Sequence, residues 1–407
     1  MKNAAFVAPL FRTNTNRYVR AFCALPGVRL GLIGIDDPRA LDPSLHPHVA
    51  AYVRVQDASD PDELTQAAKE LQGRLGGLDS LVSSLEELQT PVAIARDRAG
   101  VPGMSEAVTR NFRDKARMKD VLRRNGIPVG RHRLIGAAAE ARAFAAEVGY
   151  PIVVKPPAGR GARSTFRAES EDELLRALGS LGAAPHNPMQ CEEFVVGTEH
   201  TCETVMVGGR AVWHSGTHYM NPPLEILENP WMQYCVVLPR EEPPEFQRFL
   251  PINDRALSAL GLETGLSHME WFSRKDGSPV IGEVGARPPG ANITPMMSTA
   301  YDTDMIRNWV ELMVFGTFDP PVRKYAAGTA FFRGQGSGRV VAVHGLDEAR
   351  REVGGLLVDA QIPPIGMPKS ESYEGEGWAI VRADDTATVL RALRALVTRV
   401  RIEYSEP

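Results

Sequence analysis

Short apolar runs alternate with helical segments from the start of the chain. Strands are predicted over residues 4–9, 28–35, 52–55 and 80–84, with helices over 16–25 and 62–75. This alternation favours parallel strands joined by crossover helices. The first turn, residues 9–15, contains no GxGxxG sequence, which argues against a dinucleotide-binding fingerprint. From the alternation of strands and helices we expect a Rossmann-like open parallel sheet over residues 1–112.

The middle of the chain has the pattern of an antiparallel sheet. Strand-like runs over residues 190–196, 199–207 and 210–219 are separated by short glycine turns. A hairpin is predicted over residues 266–272 and 279–284.

Residues 222–237 contain Pro, Asn and Trp and are predicted to be an irregular substrate loop. Gly316, Pro320 and Pro321 then follow a predicted helix and indicate a domain boundary. Beyond it, strands and helices predict a small α+β domain over residues 316–407. The fold class is therefore α/β and α+β.

Composition limits the classes of function. A chain of 407 residues exceeds the size of one hydrophobic core, so several domains are expected. Its net charge of -4 gives no basic excess for nucleic acid, and no run of about 18 apolar residues predicts a membrane span. The N-terminal residues do not resemble a signal peptide, so we expect a cytoplasmic protein with small-molecule ligands. Four scattered cysteines predict neither disulfides nor zinc.

Two lysines occupy positions suited to binding an anion. Lys155 ends a β-branched run, and Gly159 and Gly161 in the following loop let backbone N–H groups turn towards a phosphate, beside the hydroxyl of Ser164. An ordinary strand-to-loop transition is the alternative. Lys115 lies in the first turn of a helix predicted over residues 114–124, where a cation is unfavourable unless it is solvated or faces a ligand. A strand is predicted to begin at residue 127.

The predicted hairpin carries two carboxylates among apolar neighbours. Glu270 and Glu283 would repel each other across adjacent strands unless a cation lay between them. Mg²⁺ takes one or two carboxylates together with phosphate oxygens, so it suits this pair. Exposed edge residues are the alternative. Arg287 follows in a Pro-Gly turn, where it could stabilise a developing anion.

The segment CEEFVVGTEH has the features of a nucleoside-binding linker. Its short strand–turn–strand pattern exposes backbone groups beside apolar side chains, which suits an adenine edge, and the carboxylate of Glu199 suits ribose hydroxyls.

These motifs, taken in their order along the chain, resemble the ATP-grasp superfamily. The resemblance extends over residues 113–315 and implies a two-subdomain ATP-grasp core, divided near residue 190, behind an N-terminal pre-ATP-grasp domain. It implies that ATP lies between the subdomains and that one or two Mg²⁺ ions, or alternatively Mn²⁺, bind with it. The implied contacts are Lys115 and Lys155 with the phosphates, Gly159, Arg160, Gly161, Ala162 and Ser164 in the covering loop, Glu192, Glu193, Phe194 and Val195 with adenine, Glu199 with ribose, and Glu270 and Glu283 with the metal.

One position departs from the family pattern. Many members carry Asn two residues after the second metal-binding glutamate, whereas this chain has Gly285, which leaves the number of metal ions open. The sequence EVGARPPG is similar to the L-amino-acid ligase-like branch.

The resemblance implies an ATP-dependent carboxylate–amine ligase that forms an amide or peptide bond through an acyl phosphate and releases ADP and phosphate. Amino acids are the expected substrates, and a homodimer is one possible assembly. His268 and Arg287 are the predicted catalytic residues. Further candidates for the substrate pocket are Arg12, Asn14, Asn292, Trp231 and Tyr234.

Two other functions remain open at this stage. An ATP-grasp carboxylase or purine-pathway ligase would use the same core, although the residues after Glu283 and the first turn lack the sequences expected of those enzymes. A nucleotide-binding module without turnover would account for the missing Asn.

Overall fold

The computed structural model describes residues 1–158, 164–229 and 232–405. Strands in these residues form a four-stranded parallel sheet, a four-stranded and an eight-stranded antiparallel sheet, and a two-stranded ribbon. The mixed α/β and α+β fold class predicted from the sequence is confirmed. No helix in the described part of the chain is long and apolar enough to cross a bilayer.

The N-terminal sheet is open and parallel, with strand order β3-β2-β1-β4. Its apolar strands form a core in which the rings of Phe6 and Phe22 lie 5.2 Å apart. Helices α3 and α4 were not predicted. The elements are β1 (Lys2–Val7), α1 (Thr13–Cys23), β2 (Val28–Gly34), β3 (Val49–Arg54), α2 (Pro61–Leu75), β4 (Ser80–Val82), α3 (Gln89–Ala99) and α4 (Glu106–Arg113).

The four-stranded antiparallel sheet follows, with strand order β5-β8-β6-β7. Alternate residues on its strands, including Ile152 and Val154, form an apolar core with Phe144 and Leu174 of the neighbouring helices. The other face carries polar side chains. The elements are α5 (Lys115–Arg124), β5 (His132–Ile135), α6 (Ala138–Val148), β6 (Ile152–Lys155), β7 (Phe166–Ala168), α7 (Glu171–Ser180) and β8 (Met189–Glu193).

The eight-stranded sheet has the order β13-β12-β9-β10-β11-β14-β17-β16. It continues past residue 315, the predicted boundary, because β14, β16 and β17 extend it. Its first elements are β9 (Thr198–Val207), β10 (Arg210–Tyr219), α8 (Pro223–Glu228), β11 (Tyr234–Leu238), α9 (Pro244–Leu260), β12 (Gly265–Ser273) and β13 (Pro279–Gly285). The remaining elements of the chain are α10 (Ile293–Tyr301), α11 (Met305–Phe315), β14 (Ala326–Phe332), β15 (Val340–His344), α12 (Leu346–Val353), β16 (Leu357–Gln361), β17 (Gly377–Ala383), α13 (Thr386–Arg399) and β18 (Arg401–Tyr404), with β15 and β18 forming the ribbon.

Three local predictions were wrong. Residue 127 does not begin a strand, since β5 begins only at His132, and before it an isolated bridge joins Val129 to Ile281 of the hairpin. The run at 190–196 ends at Glu193 as β8, which pairs with β5 and β6 and not with β9. Residues 222–237 contain α8 and β11 in place of an irregular loop.

Two apolar contacts hold the large sheet in place. On one face, Trp271 of β12 stacks on Phe249 of α9, with ring centres 4.1 Å apart and planes inclined by 9°. On the N-terminal side, Tyr18 of α1 meets Trp309 of α11 edge to face at 5.3 Å. The parallel sheet and the eight-stranded sheet are therefore joined through packed helices.

Gly345, the residue before α12, is expected to tolerate no side chain. It has a left-handed backbone (φ 75°), and an added Cβ would overlap the carbonyl oxygen of Arg399. Gly76 has the same conformation (φ 81°) with open space around it. Gly76→Ala should therefore lower the free energy of unfolding by about 1 kcal/mol, and Gly345→Ala by at least twice that loss. Urea unfolding of both variants measures the difference, and equal losses would contradict the predicted overlap.

Candidate active site

A cleft of about 510 Å³ lies between the polar face of the four-stranded sheet and the eight-stranded sheet. The predicted site residues that line it are Lys115, Lys155, Glu192, Glu193, Phe194, Val195, Glu199, His268, Glu270, Glu283 and Arg287. Gly159, Arg160, Gly161 and Ala162 fall outside the described residues. Ser164 is described and has a left-handed backbone (φ 58°), and its neighbour Thr165 lines the cleft.

Each predicted phosphate-binding lysine faces a carboxylate. Asp114 caps α5 by accepting a hydrogen bond from the backbone N–H of Arg117, and this cap begins the helix at Lys115. The Nζ atom of Lys115 lies 2.7 Å from Oε1 of Glu283. Lys155 ends β6, and its Nζ atom lies 2.9 Å from Oε1 of Glu192.

A third lysine, Lys119, belongs to the same cluster and was not predicted. It is 1% exposed, and its Nζ atom lies 2.9 Å from Oε2 of Glu192. Burial alone would raise the pKa of Glu192, but Lys119 and Lys155 outweigh it and lower this pKa to about 2. Lys119 follows Lys115 by four residues in α5, so the i, i+4 spacing that puts both on one helix face was the available signal.

The two hairpin glutamates lie opposite each other, as the sequence indicated. Glu270 of β12 and Glu283 of β13 are register partners. The hydroxyl of Tyr219 donates to Oε1 of Glu270 at 3.3 Å. Burial alone would raise the pKa of Glu270, but His268, followed by Lys155, outweighs it and lowers the pKa.

These carboxylates fit a magnesium ion that also binds phosphate. Among the described residues no cluster of three or more His, Cys, Asp or Glu is arranged to hold a metal. A site made from protein ligands alone is therefore not supported. Two adjacent carboxylates beside cationic side chains are what Mg²⁺ uses when nucleotide oxygens and water supply its remaining ligands.

His268 points one imidazole nitrogen away from the cleft. Its Nδ1 atom lies 2.8 Å from Oε1 of Glu203, and its Nε2 atom lies 3.7 Å from Oε1 of Glu270. Burial alone would lower the pKa of His268, but Glu203 and Glu270 outweigh it and raise the pKa to about 9. Glu203 was not among the predicted site residues.

Arg287 also has a partner that sequence reasoning missed. Its Nε atom is paired with Glu86, which follows β4 of the parallel sheet and is paired with Arg113 as well. Burial alone would raise the pKa of Glu86, but Arg287 and then Arg113 outweigh it and lower it to about 2. A Cβ atom on Gly285 would lie 3.4 Å from Oε2 of Glu86, in van der Waals contact with this ion pair.

The segment predicted to bind adenine lies at the edge of the cleft. Oε2 of Glu193 pairs with Arg131 at 2.6 Å, and the ring of Phe194 lies 4.5 Å from the guanidinium carbon of Arg167, which also lines the cleft. Glu199 is buried, and burial followed by repulsion from Glu270 raises its pKa well above the usual range.

The other predicted substrate contacts are not gathered in this cleft. Arg12 and Asn14 are exposed at the start of α1, and Asn292 lies beside the lining residues. Tyr234 is fully buried in β11, where its ring meets Tyr373 at 5.2 Å. Tyr373 itself lines the cleft and was not predicted. Trp231 falls outside the described residues.

Comparisons with known proteins point to one superfamily. The family model described as carbamoyl-phosphate synthase L chain, ATP binding domain, matches residues 114–202. The chain is 27% identical over 394 residues to "Uncharacterized protein y4rH" of Sinorhizobium fredii (strain NBRC 101917 / NGR234), covering 95% of this chain and 77% of the relative.

Two further comparisons involve ligases. The chain is 25% identical over 277 residues to the L-arginine-specific L-amino acid ligase of Bacillus subtilis, covering 67% of this chain and 66% of that enzyme. The crystal structure of the L-amino acid ligase from Bacillus licheniformis superposes with a TM-score of 0.80 at 20% identity, covering 100% of this chain and 99% of the other. This likeness shows that the two chains share a fold.

Loss of the Glu192 carboxylate should leave Lys119 and Lys155 without their shared counter-charge. We expect Glu192→Gln to lower the free energy of unfolding by about 3 kcal/mol or more. Glu193→Gln is the matched control, because its partner Arg131 is 49% exposed and such pairs contribute about 1 kcal/mol or less. Urea unfolding at neutral pH measures both losses, and similar values would show that the buried cluster is not needed for stability.

Glu86 should make stability depend on pH in the acid range. Its pKa is about 2 in the folded protein and about 4.3 for an unperturbed glutamate. Its contribution is therefore complete above the unfolded pKa and is lost as pH falls through the folded pKa. The free energy of unfolding should fall less between pH 4.3 and pH 2 in Glu86→Gln than in the parent protein. Parallel pH profiles would contradict the assignment.

Proposed function

We propose that this chain, a member of the ATP-grasp superfamily that is similar to the L-amino-acid ligases, is an ATP-dependent carboxylate–amine ligase. The observation that carries the proposal is one cleft that combines lysines beside both sheets with two opposed glutamates. Lys155 extends from β6, Lys115 from α5, and Glu270 and Glu283 from the hairpin. The lysines would supply positive charge for the phosphates of a nucleoside triphosphate, and the glutamates would supply carboxylates for its metal ion in the same cleft.

ATP would lie between the four-stranded and eight-stranded sheets. The backbone edge after Glu193 would meet adenine, Glu199 would meet ribose, and Lys115 and Lys155 would contact the phosphates. Glu270 and Glu283 would hold Mg²⁺, whose chemistry is to neutralise phosphate oxygens and to orient the terminal phosphate. Because Lys115 is paired with Glu283 in this structure, nucleotide binding would exchange that pair for contacts with phosphate and metal.

The reaction proposed for this site has two steps. A carboxylate oxygen of the first substrate attacks the γ-phosphorus of ATP, so that an acyl phosphate forms and ADP leaves. The amine nitrogen of the second substrate then attacks the acyl carbon, the C–O bond to phosphate breaks, and the amine loses a proton. The products are an amide, ADP and phosphate. The side chains here serve mainly to position reactants and stabilise charge, which is where phosphoryl-transfer enzymes gain their rates.

Arg287 is the proposed contact for the carboxylate substrate or for the oxyanion that forms during amine attack. It lines the cleft and its side chain is only 19% exposed, so a charge beside it is less screened than at the open surface. Amino acids are the proposed substrates, because the two named ligases among the comparisons act on them.

Incubation with Mg-ATP and mixtures of amino acids should yield ADP, phosphate and a new amide in equal amounts. Glu283→Gln and Lys155→Ala should each abolish ADP release while the fold survives, because the first removes a proposed Mg²⁺ ligand and the second removes a cation proposed to contact the phosphates. Asp276→Asn, at the exposed turn of the same hairpin, should keep normal turnover. Coupled assays of ADP with mass spectrometry of the products test this.

Several outcomes would overturn the ligase proposal. Release of AMP and pyrophosphate would contradict the acyl-phosphate route, and ATP hydrolysis that depends on bicarbonate would favour a carboxylase. Tight binding of Mg-ATP with no product from any acceptor would favour a nucleotide-binding module.

A further inference from the structure

A carboxylate lies in the interior of the eight-stranded sheet, behind the cleft. Glu203 of β9 is 0% exposed. Removing an ion of this size from water costs several kcal/mol even after the protein relaxes, so such a group needs compensating partners. Glu203 does not line the cleft, and the proposed reaction assigns it no contact with substrate.

The partners of Glu203 form a chain of contacts across three adjacent strands. Its Oε1 atom accepts from Nδ1 of His268 in β12 at 2.8 Å, and its Oε2 atom accepts from the hydroxyl of Thr201 at 3.0 Å. The hydroxyl of Thr201 is in turn paired with that of Thr217 in β10. Both oxygens of the buried carboxylate are therefore occupied by hydrogen-bond donors.

Strand register places this chain directly behind the proposed metal ligand. His268 is the register partner of Glu203, and Glu270 is the register partner of Thr201. Residues two apart on a strand point to the same face, so Glu203 and Thr201 lie beside His268 and Glu270 on one surface of the sheet. The Nε2 atom of His268 lies 3.7 Å from Oε1 of Glu270.

We propose that Glu203 and His268 are positioning residues that hold Glu270 in the orientation needed to bind magnesium. Glu203 accepts from Nδ1 and thereby fixes the imidazole ring, and the opposite ring edge then faces Glu270. Tyr219 of β10 donates to the same oxygen of Glu270 from two strands away. Partners in the layer outside the ligands orient a metal site and contribute about 10-fold to 100-fold to metal affinity.

This inference changes the role expected for His268. The sequence predicts a catalytic residue at His268, whereas one of its nitrogens is hydrogen-bonded to Glu203 and the other lies 3.7 Å from Glu270. The inference rests on the proposed function only in taking Glu270 as a magnesium ligand.

The chain contains a matched control on the opposite face of the same sheet. His214 of β10 and Asp254 of α9 form an imidazole–carboxylate pair at 2.7 Å. His214 and Thr217 are three residues apart on β10, so their side chains point to opposite faces of the sheet. Asp254 does not line the cleft. Breaking this pair removes a similar contact without touching the layer behind Glu270.

Titration calorimetry of ADP binding, with saturating Mg²⁺ and with EDTA, tests the proposal. In the parent protein magnesium should tighten ADP binding. Glu203→Gln and His268→Gln should each reduce that magnesium-dependent gain by about tenfold or more, with the dissociation constant in EDTA changed less than twofold. Asp254→Asn should retain the full gain.

A second arm separates positioning from general loss of structure. If Glu203 acts through His268, the double variant should lose no more of the magnesium-dependent gain than either single variant. Thr201→Val, which removes one donor and no charge, should show a smaller loss in the same direction and keeps the test available if Glu203→Gln fails to fold. An unchanged gain in these variants, or equal losses with and without magnesium, would overturn the proposal.

The outcome is separable from that of the ligase proposal. A parent protein that binds ADP more tightly with magnesium but forms no amide would refute the ligase and leave this inference standing. A parent protein whose ADP binding is unaffected by magnesium would refute both.

Discussion

Pairing of buried charges is the constraint on which the candidate site depends. The carboxylate of Glu192 lies 2.9 Å from both Lys119 and Lys155, and without it two ammonium groups would lie close together with no counter-charge between them. Lys115 has Glu283 in the same role. The lysines proposed to bind phosphate thus have carboxylate partners in the folded chain. An incoming nucleotide would exchange partners at this cluster, since the cations already have counter-charges.

Local chemistry explains why much of the fold could be predicted. The β-branched run before Lys155 forms a strand, Asp114 begins a helix, and the two hairpin strands pair so that Glu270 and Glu283 lie opposite each other. In each case residues close in sequence decide the outcome. The wrong predictions depend on partners that are distant in sequence. The strand-like run that begins at Gln190 does not join the sheet of β9, because β8 pairs with β5 and β6. β9 pairs instead with β10 and β12.

The same distinction applies to the site. Lysines and glutamates within recognisable motifs could be identified, whereas Glu86 and Glu203 carry no local signal. Glu86 follows β4 without any motif, and it reaches Arg287 only because the parallel sheet packs beside the hairpin. In the sequence, Glu203 is one polar residue in a strand of alternating polarity. Only the strand register shows that it lies opposite His268. Such partners are set by tertiary contacts and strand register, which periodicity alone does not specify.

Gly285 links the metal end of the cleft to the parallel sheet. A Cβ atom there would lie 3.4 Å from Oε2 of Glu86, in van der Waals contact with the pair that Glu86 forms with Arg287. A side chain at this position would therefore begin beside the ion pair, and glycine leaves that space open. Arg287 is thus paired with a carboxylate that follows a strand of a different sheet, and the position of this arginine is coupled to the packing of the N-terminal residues.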